Sequence, residues 1–127
     1  MGQLSILGLV ALGGACGCCS RYLLSELCAA LLGRAFPYGT FFVNVLGSLI
    51  IGTVIALIEN GTLAASPWRP LIVVGFLGGL TTFSSFSLDN ILMLQQSEFL
   101  KAGFNIVLNV VLSLFAAWIG FQIFSKN

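Results

Sequence analysis

The sequence predicts an all-α integral membrane protein with four transmembrane helices per subunit, because the chain is apolar, poor in charge and divided into long apolar segments. Of its 127 residues, 58% are hydrophobic and 7% are charged, and the mean hydropathy is +1.08. A soluble domain carries about 25% charged residues. A spanning helix needs about 20 mainly apolar residues, so four of them fit into a single membrane domain covering residues 1–127.

Composition also excludes several classes of function. The net charge is +1 and there is no basic run, which argues against nucleic acid as a partner. Histidine is absent, and no nucleophile–base pair or metal cluster can be recognised, so an enzyme is not expected. The four cysteines all lie in the first apolar segment, where small packing residues are expected rather than a disulfide or a metal site. No basic leader precedes that segment, so we expect it to be retained.

The first predicted helix covers residues 4–32. Gly13 and Gly17 form a Gly-x-x-x-Gly pair, which lets a neighbouring helix approach the backbone closely. Arg21 lies about 26 Å along the axis from Leu4, and a charge at that depth is costly unless it reaches an interface, pairs or faces water. Two interpretations stay open: Arg21 extends to the far interface, or it lines an aqueous vestibule and attracts anions.

The second predicted helix covers residues 38–58, with Pro37 suited to its start. Thr40, Asn44 and Ser48 follow one another at intervals of four residues, so they line one face of an otherwise apolar helix. An asparagine within the membrane needs a partner. Asn44 therefore predicts either a hydrogen bond to a neighbouring helix or part of a polar track through the protein.

The third predicted helix covers residues 71–95, with a break near residues 78–82. Gly75, Gly78 and Gly79 each cost a helix interior about 1 kcal/mol relative to alanine. Thr81 and Thr82 are β-branched, and their hydroxyls compete for backbone hydrogen bonds. The centre of the segment falls at these threonines, so we expect the break near the bilayer midplane. Non-helical backbone at that depth is tolerated only in protein or beside water, which marks a functional site.

Beyond the break, aromatic and polar residues recur at helical spacing. Phe83 and Phe86 share one face, and Thr82, Ser85 and Asp89 form a neighbouring face. The phenylalanine pair is equally consistent with core packing and with a binding site. Asp89 approaches the polar end of the helix, where solvation is sufficient to explain it.

The fourth predicted helix covers residues 102–124. Asn105, Asn109 and Ser113 repeat the four-residue interval of the second helix. Two matching polar stripes, together with the hydroxyls of the third helix, could build a polar path across the membrane.

The loop charges predict an unusual topology. With four spans, Arg69 and Lys126 fall on one side of the membrane, and Arg34 and Lys101 fall on the other. Orientation normally follows an excess of positive charge in cytoplasmic loops, and here neither side has an excess. Such a chain can insert both ways, which permits an antiparallel homodimer. Self-association is expected in any case, since four helices are few for enclosing a pore.

The segment around the break resembles a known family. Residues 75–87 read Gly-Phe-Leu-Gly-Gly-Leu-Thr-Thr-Phe-Ser-Ser-Phe-Ser, which is similar to the signature of the Fluc, or CrcB, family of fluoride channels. Members typically carry Gly-Phe-x-Gly-Gly-x-Thr-Thr-Phe-Ser-Thr-Phe, so Ser85 replaces a threonine and keeps the hydroxyl. The resemblance extends to Arg21 before an aromatic residue, the Pro-x-Gly-Thr run ending at Thr40, and Asn44 after it. Length, span number and charge balance match as well.

One position departs from the pattern. Many members carry glutamate where this chain has Asp89, so the carboxylate is kept on a shorter side chain.

The resemblance implies an antiparallel dual-topology homodimer in the lipid bilayer, with two pores for the fluoride ion and a central sodium ion as structural cofactor. It implies passive export of fluoride through a bacterial cytoplasmic (inner) membrane, relieving cells of fluoride that entered as the neutral acid. The residues that resemble the fluoride pore are the two ring positions, the amide donor and the hydroxyl-bearing stretch: Phe83, Phe86, Asn44, Ser84, Ser85 and Ser87.

Three further positions correspond to family features outside the pore. Arg21 resembles the family's first-helix arginine, which places it at a vestibule. Gly78 and Thr81 resemble the residues whose backbone carbonyls hold sodium at the helix break.

Two other classes of function stay open. A small dual-topology proton-coupled exporter has a similar size but needs a titratable carboxylate buried mid-membrane, and neither Glu26 nor Asp89 is well placed for that. A non-transporting membrane assembly subunit would use its glycines and polar stripes for packing alone. Proton-dependent uptake of organic cations would favour the exporter, whereas loss of ion flux on changing Phe83 or Asn44, with assembly unchanged, would exclude the assembly subunit.

Overall fold

A computed structural model describes residues 2–125. In chain order the helices are α1 (Gln3–Leu32), α2 (Tyr38–Glu59), α3 (Ala65–Trp68), a π-helical stretch (Arg69–Leu77), α4 (Gly78–Leu80), α5 (Phe83–Gln95) and α6 (Phe99–Phe124). Four stretches are long and apolar enough to cross a membrane: α1, α2, the composite third span Ala65–Gln95, and α6. The prediction of an all-helical chain with four such helices is confirmed.

Two helix starts differ from the sequence prediction. The third span begins at Ala65 rather than at residue 71, and α6 begins at Phe99 rather than at residue 102. From the sequence, residues 59–68 are predicted to form a loop that is rich in small and polar residues and closed by Pro67 and Pro70. Pro70 instead lies in the first turn of the π-helical stretch, where its missing N–H group leaves no hydrogen bond unmade.

α1 packs against the third span at backbone contact distance. A Cβ atom added at Gly13 would overlap the Leu71 carbonyl oxygen, and one added at Gly17 would overlap the Phe76 carbonyl oxygen. The close approach predicted for the Gly-x-x-x-Gly pair is therefore confirmed, and its partner is the π-helical stretch.

α2 packs equally closely against α6. A Cβ atom at Gly52 would overlap the Ala117 carbonyl oxygen, and one at Gly120 would overlap that of Leu49. The membrane domain thus consists of two closely packed pairs, α1 with the third span and α2 with α6.

The two pairs meet around a small apolar core. Val43 of α2 contacts Leu77 and Leu80, and all three side chains are at most 2% exposed. Because Leu80 is the last residue of α4, the core fixes the end of α4 against α2 and positions the residues that follow.

Candidate functional site

The helical path of the third span is interrupted for two residues after Leu80. Thr81 (φ −84°, ψ 155°) and Thr82 (φ −152°, ψ 121°) have extended backbone, and α5 starts again at Phe83. Thr82 caps α5, because its Oγ1 accepts a hydrogen bond of 3.2 Å from the Ser85 N–H group. The non-helical residues are the two threonines that follow the glycines.

Both the oxygen and the nitrogen of the Asn44 side-chain amide, on α2, bind the backbone of Thr82. Its Oδ1 accepts from the Thr82 N–H group at 2.8 Å, and its Nδ2 donates to the Thr82 carbonyl oxygen at 3.1 Å. The same Nδ2 also donates to Oδ1 of Asn109 on α6 at 3.2 Å. Both amide protons of Asn44 are thus engaged, and the side chain serves as the backbone partner that Thr82 lacks.

These contacts remove the helical donors from two carbonyl groups. In a continuous α-helix the N–H group of residue i binds the carbonyl of residue i−4. The Thr82 N–H group would then bind Gly78, but it binds Asn44. The Ser85 N–H group would bind Thr81, but it binds the Thr82 hydroxyl. The Gly78 and Thr81 carbonyls, which are the predicted sodium ligands, are therefore among the carbonyls that the interruption leaves without helical donors, while the Gly79 carbonyl accepts from Arg21 instead.

Arg21 also reaches the interruption. Its side chain is half-buried, and Nε donates to the Gly79 carbonyl oxygen at 2.9 Å. Arg21 does not line either of the two cavities described below. The vestibule role of Arg21 stays a prediction, and its contact in the structure is with the helix break.

A cavity of about 460 Å³ opens beside the interruption. The Phe83 and Phe86 rings line it, with centroids 5.4 Å apart and planes inclined at 50°. Phe86 is 7% exposed, whereas Phe83 is 77% exposed. The cavity brings together both predicted ring positions, the predicted amide donor and both predicted sodium positions: Phe83, Phe86, Asn44, Gly78 and Thr81.

The predicted serines do not line this cavity. The Ser84 hydroxyl lies 3.4 Å from the Thr82 hydroxyl, and the Ser87 hydroxyl donates to the Phe83 carbonyl oxygen at 3.0 Å. Ser85 contributes its backbone N–H group to the cap at Thr82. In the described part of the chain these residues support the first turn of α5, and their role in a pore stays a prediction.

A second cavity of about 320 Å³ lies among the end of α1, the first loop, the start of α2 and α5. Thr40 and Asp89 both line it. Oδ2 of Asp89 is buried and has no hydrogen-bond partner among residues 2–125. The polar stripe of α2 extends from one cavity to the other, because Thr40 lines the second cavity while Asn44 and Ser48 line the first.

The sequence places Asn109 and Ser113 in a polar stripe without assigning them to the pore, and it does not single out Asn90. Asn109 and Ser113 line the first cavity, and the Ser113 hydroxyl is buried without a hydrogen-bond partner in residues 2–125. Their four-residue interval was visible, but not which face of α6 meets α2. Asn90, which belongs to no polar stripe, is 7% exposed and accepts a hydrogen bond from Asn105. The only sequence feature that marks Asn90 is its position inside an apolar segment, where an amide side chain needs a hydrogen-bond partner.

The fold and the site define a small multi-pass membrane protein whose third span is interrupted beside a polar-edged cavity. Residues 8–121 match the family model described as CrcB-like protein, Camphor Resistance (CrcB). The chain belongs to this family.

Curated relatives match over the full chain. A protein of Vibrio parahaemolyticus named "Fluoride-specific ion channel FluC" is 63% identical, and one of Vibrio campbellii with the same name is 61% identical. A third, from Photobacterium profundum, is 58% identical and carries that name too. Each alignment covers 127 residues and the whole of both chains.

Proposed function

We propose that this protein is a fluoride-selective passive ion channel that exports fluoride from the cytoplasm. The observation that carries the proposal is the cavity at the interruption, where the Asn44 amide meets the rings of Phe83 and Phe86. The names of the full-length relatives support fluoride as the ion.

The lining suits a small, strongly hydrated anion. The positive edges of aromatic rings attract an anion, and the unpartnered Ser113 hydroxyl can donate a hydrogen bond to it. The Asn44 amide lies beside these groups, and its bonds to Thr82 and Asn109 hold the turn that shapes the lining. Because none of these groups is fully charged, binding stays weak enough for the ion to leave.

The functional unit in this proposal is an antiparallel dual-topology homodimer with two pores. The balanced loop charges support it, although Lys126 lies outside the described residues. The exposure of Phe83 supports it further, because a 77% exposed ring beside an open cavity offers a surface that a second subunit would cover. The dimer would lie in a bacterial inner membrane, with each helix interruption near the midplane.

A structural sodium ion at the dimer centre completes the proposal. Hard cations prefer oxygen ligands, and the Gly78 and Thr81 carbonyls have lost their helical donors. A Cβ atom added at Gly78 would have no atom within 4 Å, so a second subunit can approach this side of the backbone closely. Two carbonyls from each subunit would supply four oxygen ligands, and the bound cation would hold the subunits together.

Removing sodium is therefore expected to weaken the dimer. We expect purified protein in detergent to unfold at a lower temperature when N-methyl-D-glucamine replaces sodium, and sodium to restore the original value, since a ligand stabilises the state that binds it. Potassium at the same ionic strength controls for screening. An unfolding temperature independent of the cation would remove sodium from the proposal and leave the channel untouched.

The channel itself is tested by anion efflux from liposomes under a potassium–valinomycin clamp. Wild-type protein is expected to release fluoride rapidly with little chloride leak. Phe83→Ile should abolish most of the fluoride efflux, because isoleucine fills the space without a positive ring edge. Phe104→Ile is the matched control, since Phe104 is 55% exposed on α6 and does not line the cavity.

Other outcomes would favour the two alternatives. Uptake of organic cations driven by a proton gradient would indicate an exporter. Absence of any flux from well-folded wild-type protein would indicate an assembly subunit.

A further inference from the structure

The buried polar residues in the described part of the chain are three asparagines. Asn105 is 0%, Asn109 5% and Asn90 7% exposed. Asn109 lines the cavity at the interruption, whereas Asn90 and Asn105 line neither cavity. A role in lining the cavity therefore does not explain why Asn90 and Asn105 are buried polar residues.

The asparagines form one directional chain of hydrogen bonds, which we call the amide ladder: Asn44, Asn109, Asn105 and Asn90. Asn44 Nδ2 donates to Asn109 Oδ1 at 3.2 Å, and Asn109 Nδ2 donates to Asn105 Oδ1 at 2.9 Å. Asn105 Nδ2 then donates to Asn90 Oδ1 at 2.8 Å. The two inner amides, Asn109 and Asn105, each direct the oxygen toward one neighbour and the nitrogen toward the other.

This order fixes the orientation of each amide. Rotating the Asn109 amide by half a turn would bring its nitrogen against Asn44 Nδ2 and its oxygen against Asn105 Oδ1. A second bond, from Asn109 Nδ2 to the Asn105 backbone carbonyl at 2.9 Å, favours the same orientation. Asn109 is therefore held with its oxygen toward Asn44, and Asn44 in turn binds the Thr82 backbone.

We propose that Asn90 and Asn105 are positioning residues for ion conduction. Acting through Asn109 and Asn44, they hold the Thr82 backbone, and with it the Gly78 and Thr81 carbonyls, in the geometry that conducts ions. This inference rests on the proposed function. It gives the contact between α5 and α6 a role beyond helix packing, because the ladder connects two residues outside the cavity lining to the backbone that shapes the cavity.

The test uses Asn105→Leu and the double variant Asn90→Leu/Asn105→Leu in full-length protein. The single variant leaves Asn90 without its donor, whereas the double variant replaces the contacting pair by apolar groups of similar shape, which is nearly neutral for packing. We expect both variants to lower fluoride efflux by about tenfold or more, because Nδ2 of Asn109 keeps only its bond to the backbone carbonyl of residue 105 and loses the side-chain bond that links Asn109 to the rest of the amide ladder. Gln95→Leu, which removes an exposed amide from the end of α5, should leave efflux unchanged.

A spectroscopic readout follows the turn independently of transport. The chain has five threonines, so selective ¹⁵N-threonine labelling resolves the Thr82 amide. We expect its resonance to shift and its hydrogen exchange to accelerate in both variants, while Thr62, which lies in the second loop, stays unchanged.

Each outcome decides a separate point. Wild-type efflux and an unchanged Thr82 resonance in the variants would overturn the proposal, as would lost efflux with an unchanged Thr82 resonance. Recovery of efflux in the double variant would show that the ladder serves only to join α5 to α6. If wild-type protein passes no fluoride, the proposed function fails, and the Thr82 resonance alone then decides whether the ladder positions the turn.

Discussion

Asn44→Leu is expected to abolish fluoride efflux and to destabilise the protein. Leucine has a similar shape, but it removes three hydrogen bonds: two to the Thr82 backbone and one to Asn109. The Thr82 N–H and carbonyl groups then lack partners in a partly buried site, which costs about 2 kcal/mol or more. A turn that is no longer fixed should also lower the efflux rate by about 100-fold, the equivalent of two hydrogen bonds in the barrier.

Ser48→Ala is the matched control for this prediction. Ser48 lies one turn further along α2 and lines the same cavity, yet its side chain makes no hydrogen bond to the interruption. Liposome efflux and the unfolding temperature in detergent should both stay close to the wild-type values. Equal losses in the two variants would mean that general polarity of the stripe matters, and not the contact between Asn44 and Thr82.

The local signals in the sequence predict a break in the third helix because they act within the chain. Three glycines followed by two β-branched residues weaken a helix wherever they occur, and the structure has its extended residues at Thr81 and Thr82. In the same way, Gly13 and Gly17 predicted a close helix contact from their spacing alone, and the structure shows one.

Features that depend on which helices are neighbours could not be predicted in this way. The spacing of Asn44 allowed a pore or a helix contact, and the structure shows that its amide replaces helical hydrogen bonds of Thr82. Asn90 belongs to no periodic pattern, so only the packing of α5 on α6 shows its bond to Asn105. Arg21 could be placed by depth, but its bond to Gly79 depends on the close packing of α1.

Gly17→Val is expected to disrupt the close packing of α1 against the third span. The added Cβ would overlap the Phe76 carbonyl oxygen and would lie 3.0 Å from the Leu80 backbone nitrogen. Backbone atoms of a packed helix cannot move aside as a flexible side chain can, so we expect destabilisation of about 3 kcal/mol or more. Since Leu80 is the last residue before the interruption, α4 would be displaced together with the carbonyls that follow it.

Gly8→Val provides a control on the same helix, because a Cβ at Gly8 has no atom within 4 Å. Both variants exchange glycine for a β-branched residue in α1, so the change in helix propensity cancels in the comparison. We expect Gly17→Val to accumulate poorly, to unfold at a much lower temperature and to lose fluoride efflux, while Gly8→Val stays close to wild type. Similar stability of the two variants would contradict the close packing of α1 on the third span. It would also contradict the hydrogen bond from Arg21 to Gly79, which depends on that packing.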